Sequence, residues 1–125
     1  GTDVTIVSFG KIIKEAYKAA EQLAKDGIEC EVIDLRTIRP MDHTTILDSV
    51  KKTNRLVILE EAWPFGNIAT EITYQVQNQA FDYLDAPIEK INTADTPAPY
   101  SPVLFAEWIP TSDDVIKAVK KVMYR

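Results

Sequence analysis

The chain alternates short runs of β-branched and aliphatic residues with longer segments whose apolar residues recur at helical spacing. The runs at 3–10, 30–35, 55–60 and 88–91 contain clustered Val, Ile and Leu residues, which predicts four strands, the first of them buried. The segments between and after them predict four helices, over 11–25, after 42, over 68–80 and after 111. Strands that alternate with helices indicate an α/β fold with a mainly parallel sheet covered on both faces.

Glycine and helix-capping residues mark where the predicted helices begin and end. Gly27 suits the left-handed position that closes the first helix, and Asp42 is an N-cap for the second. Thr111 and Asp114 have the spacing of a capping box at the start of the last helix. The region 92–110 holds four prolines and is expected to be mostly loop.

Length and composition indicate a single globular domain over residues 1–125. The chain is 46% hydrophobic and 26% charged, and it contains no apolar run near the length of a membrane span. Its formal net charge of −5 argues against nucleic acid and permits a basic protein partner. A start at Gly1 without Met suggests a processed chain or an excised domain.

Few residues offer catalytic chemistry. The loop Ser8–Lys11 has neither a dinucleotide-binding nor a Walker glycine pattern. His43 and Cys30 are the sole histidine and cysteine, too few for a zinc site, and a surface role and a buried structural role are favoured for them. We therefore predict no catalytic, cofactor-binding or metal-binding residue in the chain.

Two charged pairs leave alternatives open. Glu60 and Glu61 follow the third strand, where catalytic carboxylates often lie, but strand alternation turns their side chains to opposite faces. Arg36 and Arg39 could hold an anionic group, although pairing with acidic residues across a subunit contact is the favoured interpretation.

Aromatic residues are unusually frequent in the predicted loops. Large apolar side chains in loops either fold back on the core or form partner surfaces, and their number here favours a subunit interface. The candidates are Trp63, Phe65, Tyr100, Phe105 and Trp108.

Several stretches together resemble one family. "DLRTIRPMD" at 34–42, "AFDYLDAP" at 80–87 and "ADTPAPY" at 94–100 look like the C-terminal, transketolase-type domain of 2-oxo acid dehydrogenase beta subunits, most closely those of the pyruvate enzymes. The resemblance implies a three-layer α/β/α sandwich with a mixed sheet of about five strands. The four predicted strands leave the fifth to be placed, near 103–106 or elsewhere in the predicted loop.

The resemblance also implies a division of labour. In this family thiamin diphosphate and magnesium bind between the alpha subunit and the preceding domain of the beta subunit, so we expect this domain to bind neither. Its expected partners are the alpha subunit, a second beta subunit and the binding domain of a dihydrolipoyl acyltransferase. The compartment implied is the bacterial cytoplasm, or the mitochondrial matrix or plastid of a eukaryote.

The resemblance points to three residues for contact with the acyltransferase, Asp82, Asp85 and the terminal Arg125. The two carboxylates and the chain end would complement a basic binding domain, although a basic last residue fits that role less well. The sequence shows no obvious intramolecular cation for Asp85, so its charge is expected to be available to a partner.

Two other functions remain open from the sequence. One is that the domain belongs to a different thiamin enzyme, such as a branched-chain 2-oxo acid dehydrogenase or a transketolase-like enzyme, and the other is a free-standing docking module. The longer reading frame and the substrate of the intact protein would distinguish these alternatives.

Overall fold

A computed structural model of the chain describes residues 2–35, 42–61, 68–93, 101–102 and 109–125. Four strands lie in this part: β1 (Val4–Ser8), β2 (Cys30–Asp34), β3 (Leu56–Leu59) and β4 (Glu89–Ile91). The helices are α1 (Ile13–Lys25), α2 (His43–Thr53), α3 (Ile68–Ala80) and α4 (Ser112–Val122).

The four strands form one parallel sheet in the order β2-β1-β3-β4. Every residue of β1 and β3 is buried, whereas most residues of the flanking β2 and β4 are only half-buried. This difference explains why β3 is a continuous apolar run in the sequence and why β1 is mainly apolar, with the small hydroxyl residues Thr5 and Ser8 also buried. The predicted α/β class is thus confirmed, and the predicted fifth strand near 103–106 lies outside the described residues.

Two apolar cores lie on opposite faces of the sheet and make three layers. On one face, Ala16 and Leu23 of α1 pack with Val115 and Val119 of α4. On the other face, Ile46 and Val50 of α2 pack with buried residues of α3. Tyr17, on the predicted apolar stripe of α1, is instead exposed.

The predicted helix ends are confirmed in detail. Gly27 has a φ of 80° and lies between Asp26 and Ile28, whose amide donates to the carbonyl of Leu23 at 2.9 Å, as in a Schellman motif. The side chain of Asp42 accepts from the amide of Thr45 at 3.2 Å.

The starts of α1 and α4 can also be compared with the prediction. A 3₁₀ turn over Gly10–Ile12 precedes α1, where the sequence predicted α-helix from Lys11. At α4, Thr111 and Asp114 form the predicted capping box, with the Thr111 amide 2.9 Å from the Asp114 carboxylate.

The direction of the elements determines which ends meet. All four strands run the same way, and the helices run back against them, so the C-termini of the helices and the starts of the strands share one edge. We call this the amino edge of the sheet, and it carries Asn54, Arg55, Asp85 and the C-terminal residues Tyr124 and Arg125.

Candidate functional site

The residues with nucleophilic or metal-binding chemistry do not assemble into a catalytic set within the described part of the chain. Burial, and then the charges of Asp3 and Glu29, raise the pKa of the Cys30 thiol to about 11, which keeps it protonated at neutral pH. His43 is the first residue of α2 and is half-buried. Among the described residues, no cluster of His, Cys, Asp and Glu could hold a metal ion.

Glu60 is the most unusual titratable residue in the described part. It is fully buried at the carboxyl end of β3, and burial raises the pKa of its carboxyl. One of its oxygens accepts from the amide of Ala69 at 3.3 Å and the other from Nδ2 of Asn92 at 2.6 Å. Glu61 is exposed, as strand alternation predicted. Since the two oxygens of Glu60 accept hydrogen bonds from Ala69 and Asn92, the carboxyl links α3 to the end of β4.

A cavity of about 260 Å³ lies at the carboxyl edge of the sheet, beside the start of α1. Lys11, Lys14, Glu15 and Glu61 line it with two charges of each sign, so it favours no single class of ligand.

Buried hydroxyl groups connect the central strand to the amino edge. Oγ1 of Thr5 in β1 lies 2.7 Å from Oγ of Ser49 and 2.7 Å from Oγ1 of Thr53, both in α2. The Thr53 hydroxyl also bonds the carbonyl of Arg55 at 3.1 Å, and that carbonyl accepts from the amide of Thr5 at 2.9 Å. These bonds fix the turn between α2 and β3.

The turn at Asn54 holds the segment that contains the two predicted docking residues. Asn54 has a φ of 65°, the left-handed conformation that ends α2. Its Nδ2 donates to the carbonyl of Tyr83 at 2.7 Å, and its carbonyl accepts from the amide of Asp85 at 2.8 Å. The backbone between Tyr83 and Asp85 is therefore tied to the turn at two points, while the side chains of Asp82 and Asp85 remain exposed.

The expectation that Asp85 has no intramolecular cation is wrong. Nη2 of Arg55 lies 3.9 Å from Oδ2 of Asp85, and Nε of Arg55 donates to the carbonyl of Val122 at 3.1 Å. Arg55 and Asp85 are 30 positions apart in the sequence, and they meet because β3 and β4 are parallel neighbours whose starts lie side by side.

The chain end lies at the same place. The hydroxyl of Tyr124 donates to the carbonyl of Asp85 at 3.3 Å, and the amide of Arg125 donates to the carbonyl of Lys120 at 2.8 Å. Two separate parts of the sequence, 82–85 and 124–125, therefore form one surface, which we call the docking corner: Phe81, Asp82, Tyr83, Asp85, Tyr124 and Arg125.

Exposed aromatic side chains occur in both segments of the docking corner, and these were not among the aromatic residues selected from the sequence. Phe81 is 67% exposed, Tyr83 is 44% exposed and Tyr124 is 71% exposed, and they make up three of the five large exposed hydrophobic residues in the described part. Nζ of Lys51 lies 5.5 Å from the centre of the Tyr83 ring. The sequence contained a signal for these residues: Phe81, Tyr83 and Tyr124 are aromatic residues that follow the last apolar positions of α3 and α4.

The other predicted interface aromatics fall outside the described residues. These are Trp63, Phe65, Tyr100, Phe105 and Trp108. Arg36 and Arg39, which the sequence offered as an anion site or a subunit contact, also lie outside the described residues.

Comparison with known proteins identifies the family of the chain. The model of the transketolase C-terminal domain matches residues 1–115. The chain belongs to this family. Assignment to the transketolase C-terminal domain family agrees with the resemblance seen in the sequence motifs and with the parallel α/β architecture. Within the described residues, no helix has the length and apolar character needed to cross a bilayer.

The most similar curated relatives of this transketolase C-terminal domain share one name. The chain is 53% identical over 124 residues to the pyruvate dehydrogenase E1 component subunit beta of Rickettsia felis, covering 99% of this chain and 38% of that protein. It is 49% identical over 125 residues to the mitochondrial subunit beta-1 of Oryza sativa, covering 100% of this chain and 33% of that protein. The chain thus spans about a third of the length of these relatives, and the predicted resemblance to the beta subunits is confirmed.

Solved structures show the same architecture. A split-gene transketolase, in an inactive beta4 tetramer, superposes with a TM-score of 0.85 at 27% identity, covering 99% of this chain and 39% of that one. A 2-oxoglutarate:ferredoxin oxidoreductase from Magnetococcus marinus superposes with a TM-score of 0.63 at 14% identity, covering 98% of this chain and 18% of that one, which shows the fold alone.

Proposed function

We propose that this transketolase C-terminal domain is the non-catalytic C-terminal part of the beta subunit of a thiamin-dependent pyruvate dehydrogenase E1 component. The intact enzyme would decarboxylate pyruvate oxidatively and acetylate lipoyl groups, with an alpha subunit and a second beta subunit as partners. The names of the relatives at 53% and 49% identity support this proposal. Their origins fit the bacterial cytoplasm or the mitochondrial matrix as its compartment.

The thiamin diphosphate and magnesium of the intact enzyme would be held outside this domain. The described residues support that division of labour, because Glu60 is already occupied by Ala69 and Asn92 and Cys30 is a protonated thiol at neutral pH. Titration calorimetry of the isolated domain with thiamin diphosphate and Mg²⁺ should give no heat of binding. Tight binding there would contradict the assignment.

Within that enzyme, the domain would serve beta–beta assembly and docking to the dihydrolipoyl acyltransferase. The observation that carries the docking role is the geometry of Asp85. Its side chain is 57% exposed, while its amide and carbonyl are tied to Asn54 and Tyr124. A carboxylate presented on a fixed backbone binds a cation with little loss of conformational entropy, which favours recognition of a basic partner.

The electrostatics of the docking corner favour a partner that brings more than charge. Asp82 and Asp85 supply two carboxylates, but Arg55 lies 3.9 Å from Asp85 and Lys51 lies over the ring of Tyr83, so these four charges balance. The exposed rings can contact the aliphatic stems of lysine and arginine as well as their cations. The basic binding domain of an acyltransferase therefore fits the corner by charge at Asp85 and by contact with the rings.

The test of the docking role separates binding from catalysis. Asp85→Ala in the intact component should weaken binding to the isolated acyltransferase binding domain, and Asp82→Ala should weaken it less. Truncation of one member of a desolvated charge pair costs about 2–5 kcal/mol and loss of an exposed rim charge less than about 1 kcal/mol. The loss should shrink at high salt, and pyruvate decarboxylation with an artificial electron acceptor should stay near the wild-type rate.

Asp113→Ala is the matched control, since it removes one exposed carboxylate from the first turn of α4, at the opposite edge of the sheet. Its binding should equal that of the wild type. If Asp85→Ala left binding unchanged while decarboxylation was lost, the docking role would be wrong.

A further inference from the structure

The charge of Asp85 faces an arginine on its inner side. Nη2 of Arg55 lies 3.9 Å from Oδ2 of Asp85, and the Arg55 side chain is 24% exposed, whereas that of Asp85 is 57% exposed. A partner that approaches from solvent therefore reaches the carboxylate first. The positive charge of Arg55 remains beneath it and opposes the approach of a second cation.

The guanidinium is held in that position. Its Nε donates to the carbonyl of Val122 at 3.1 Å, at the end of α4. The backbone of Arg55 is equally constrained, because its carbonyl bonds the amide of Thr5 at 2.9 Å and the hydroxyl of Thr53 at 3.1 Å. Since both ends of the residue are fixed, Arg55 cannot swing away when a cation arrives without breaking its bond to Val122.

We infer that Arg55 is a specificity-determining residue of the docking corner, which attenuates the attraction of Asp85 for basic surfaces. This inference rests on the proposed docking function. Because of Arg55, a lone cation binds Asp85 less tightly than it would without the arginine, so contacts with Phe81 and Tyr124 make up a larger share of the binding of the intended partner. The corner would thereby discriminate against the many basic surfaces that a chain of net charge −5 attracts.

Coulomb's law gives the size of the effect. A partner cation bound at Asp85 would be roughly 6 Å from the Arg55 charge, and at the dielectric constant of water its repulsion corresponds to about a threefold change in affinity. At 1 M salt the Debye length is about 3 Å, so the change should vanish.

The experiment removes the Arg55 charge and keeps a donor for Val122. Arg55→Gln in the intact component should bind the basic acyltransferase domain about threefold more tightly at low salt, and this gain should disappear at 1 M salt. Lys18→Gln is the matched control, because Lys18 also lies 3.9 Å from a carboxylate, that of Glu15, in the middle of α1. It removes the same charge and should leave the affinity unchanged.

An Asp85→Asn background separates this inference from the docking function. Asp85→Asn should weaken binding, and in that background, where no carboxylate holds the cation near Arg55, Arg55→Gln should tighten binding by less than threefold. If Asp85→Asn weakens binding but Arg55→Gln gives no gain over Lys18→Gln, the attenuation by Arg55 is wrong and the docking function stands. If Asp85→Asn has no effect, the docking function itself fails.

A second uncharged variant tests the inference in case Arg55→Gln does not fold. Arg55→Met keeps the aliphatic stem of the side chain and removes the same charge. Should Arg55→Gln unfold, Arg55→Met must show the threefold gain, and its absence in the folded protein would overturn the inference.

Discussion

The hydroxyl cluster beneath the docking corner gives a stability prediction that can be worked out from its contacts. Thr5, Ser49 and Thr53 are all buried, and Oγ1 of Thr5 makes two hydrogen bonds of 2.7 Å. Thr5→Val keeps the shape of the side chain and removes both bonds. Thr53 retains its bond to the carbonyl of Arg55, and Ser49 retains its interaction with Glu31, so neither hydroxyl is left without any partner.

The magnitude follows from these contacts. Two hydrogen bonds at about 0.5–1.5 kcal/mol each are lost, and the added methyl group returns about 0.8 kcal/mol. The free energy of unfolding should therefore fall by about 0.2–2.2 kcal/mol, with a central value of about 1 kcal/mol. For a domain of this size, that corresponds to a decrease in melting temperature of roughly 1–8 °C.

Urea unfolding of the chain, followed by circular dichroism, measures the effect. Thr44→Val is the control, because Thr44 lies exposed on α2 and its replacement should change stability by less than about 0.5 kcal/mol. Thr53→Val and the double variant complete a cycle, in which the double variant should cost less than the sum of the two single variants. A Thr5→Val protein as stable as the wild type would refute the hydroxyl network as a source of stability.

Two further predictions concern a buried acid and a subunit contact. Burial raises the pKa of Glu60 above its ordinary value of 4.5, so the native state binds the proton more tightly than the unfolded state does. The stability that this proton contributes is therefore complete below pH 4.5 and is lost as the pH rises through the raised pKa. Glu60→Gln should abolish this part of the pH dependence in thermal melts from pH 4 to 8, and unchanged melting profiles would contradict the assignment. Trp108→Ala in the full beta subunit should weaken subunit association by roughly 2 kcal/mol or more. A large fall in the melting temperature of the isolated domain would instead make Trp108 a core residue.

The architecture could be predicted from the sequence because local signals agreed with one another. The runs that became β1 and β3 are rich in apolar residues since both faces of those strands are buried, and Gly27 marks the end of α1 while Asp42 and the Thr111–Asp114 pair mark the starts of α2 and α4. The boundaries differ mainly at the start of α1, where a 3₁₀ turn precedes the α-helix. Such a turn has the same apolar spacing over one turn, so periodicity does not distinguish it.

The environment of Asp85 could not be predicted, because it depends on which strands are neighbours. The proximity of Arg55 requires that β3 pairs with β4, and the proximity of Val122 and Tyr124 requires that α4 ends at the same edge. Sequence spacing contains neither fact. The motif around Asp85 therefore indicated a docking residue by resemblance, but gave no sign of the arginine that lies 3.9 Å from its carboxylate.

The position of the docking corner within the sheet supports a protein partner over a small ligand. Ligands of open α/β sheets bind beyond the carboxyl ends of the strands, where the crevice at a reversal of strand order is deepest. The corner lies at the opposite edge, where Asn54 and Arg55 precede β3 and Asp85 precedes β4. That edge is built from helix C-termini and tight turns, and the corner presents a hydrogen-bonded backbone and exposed aromatic side chains. Such a surface, with one partly neutralised carboxylate, offers several exposed residues that a folded domain can contact at once.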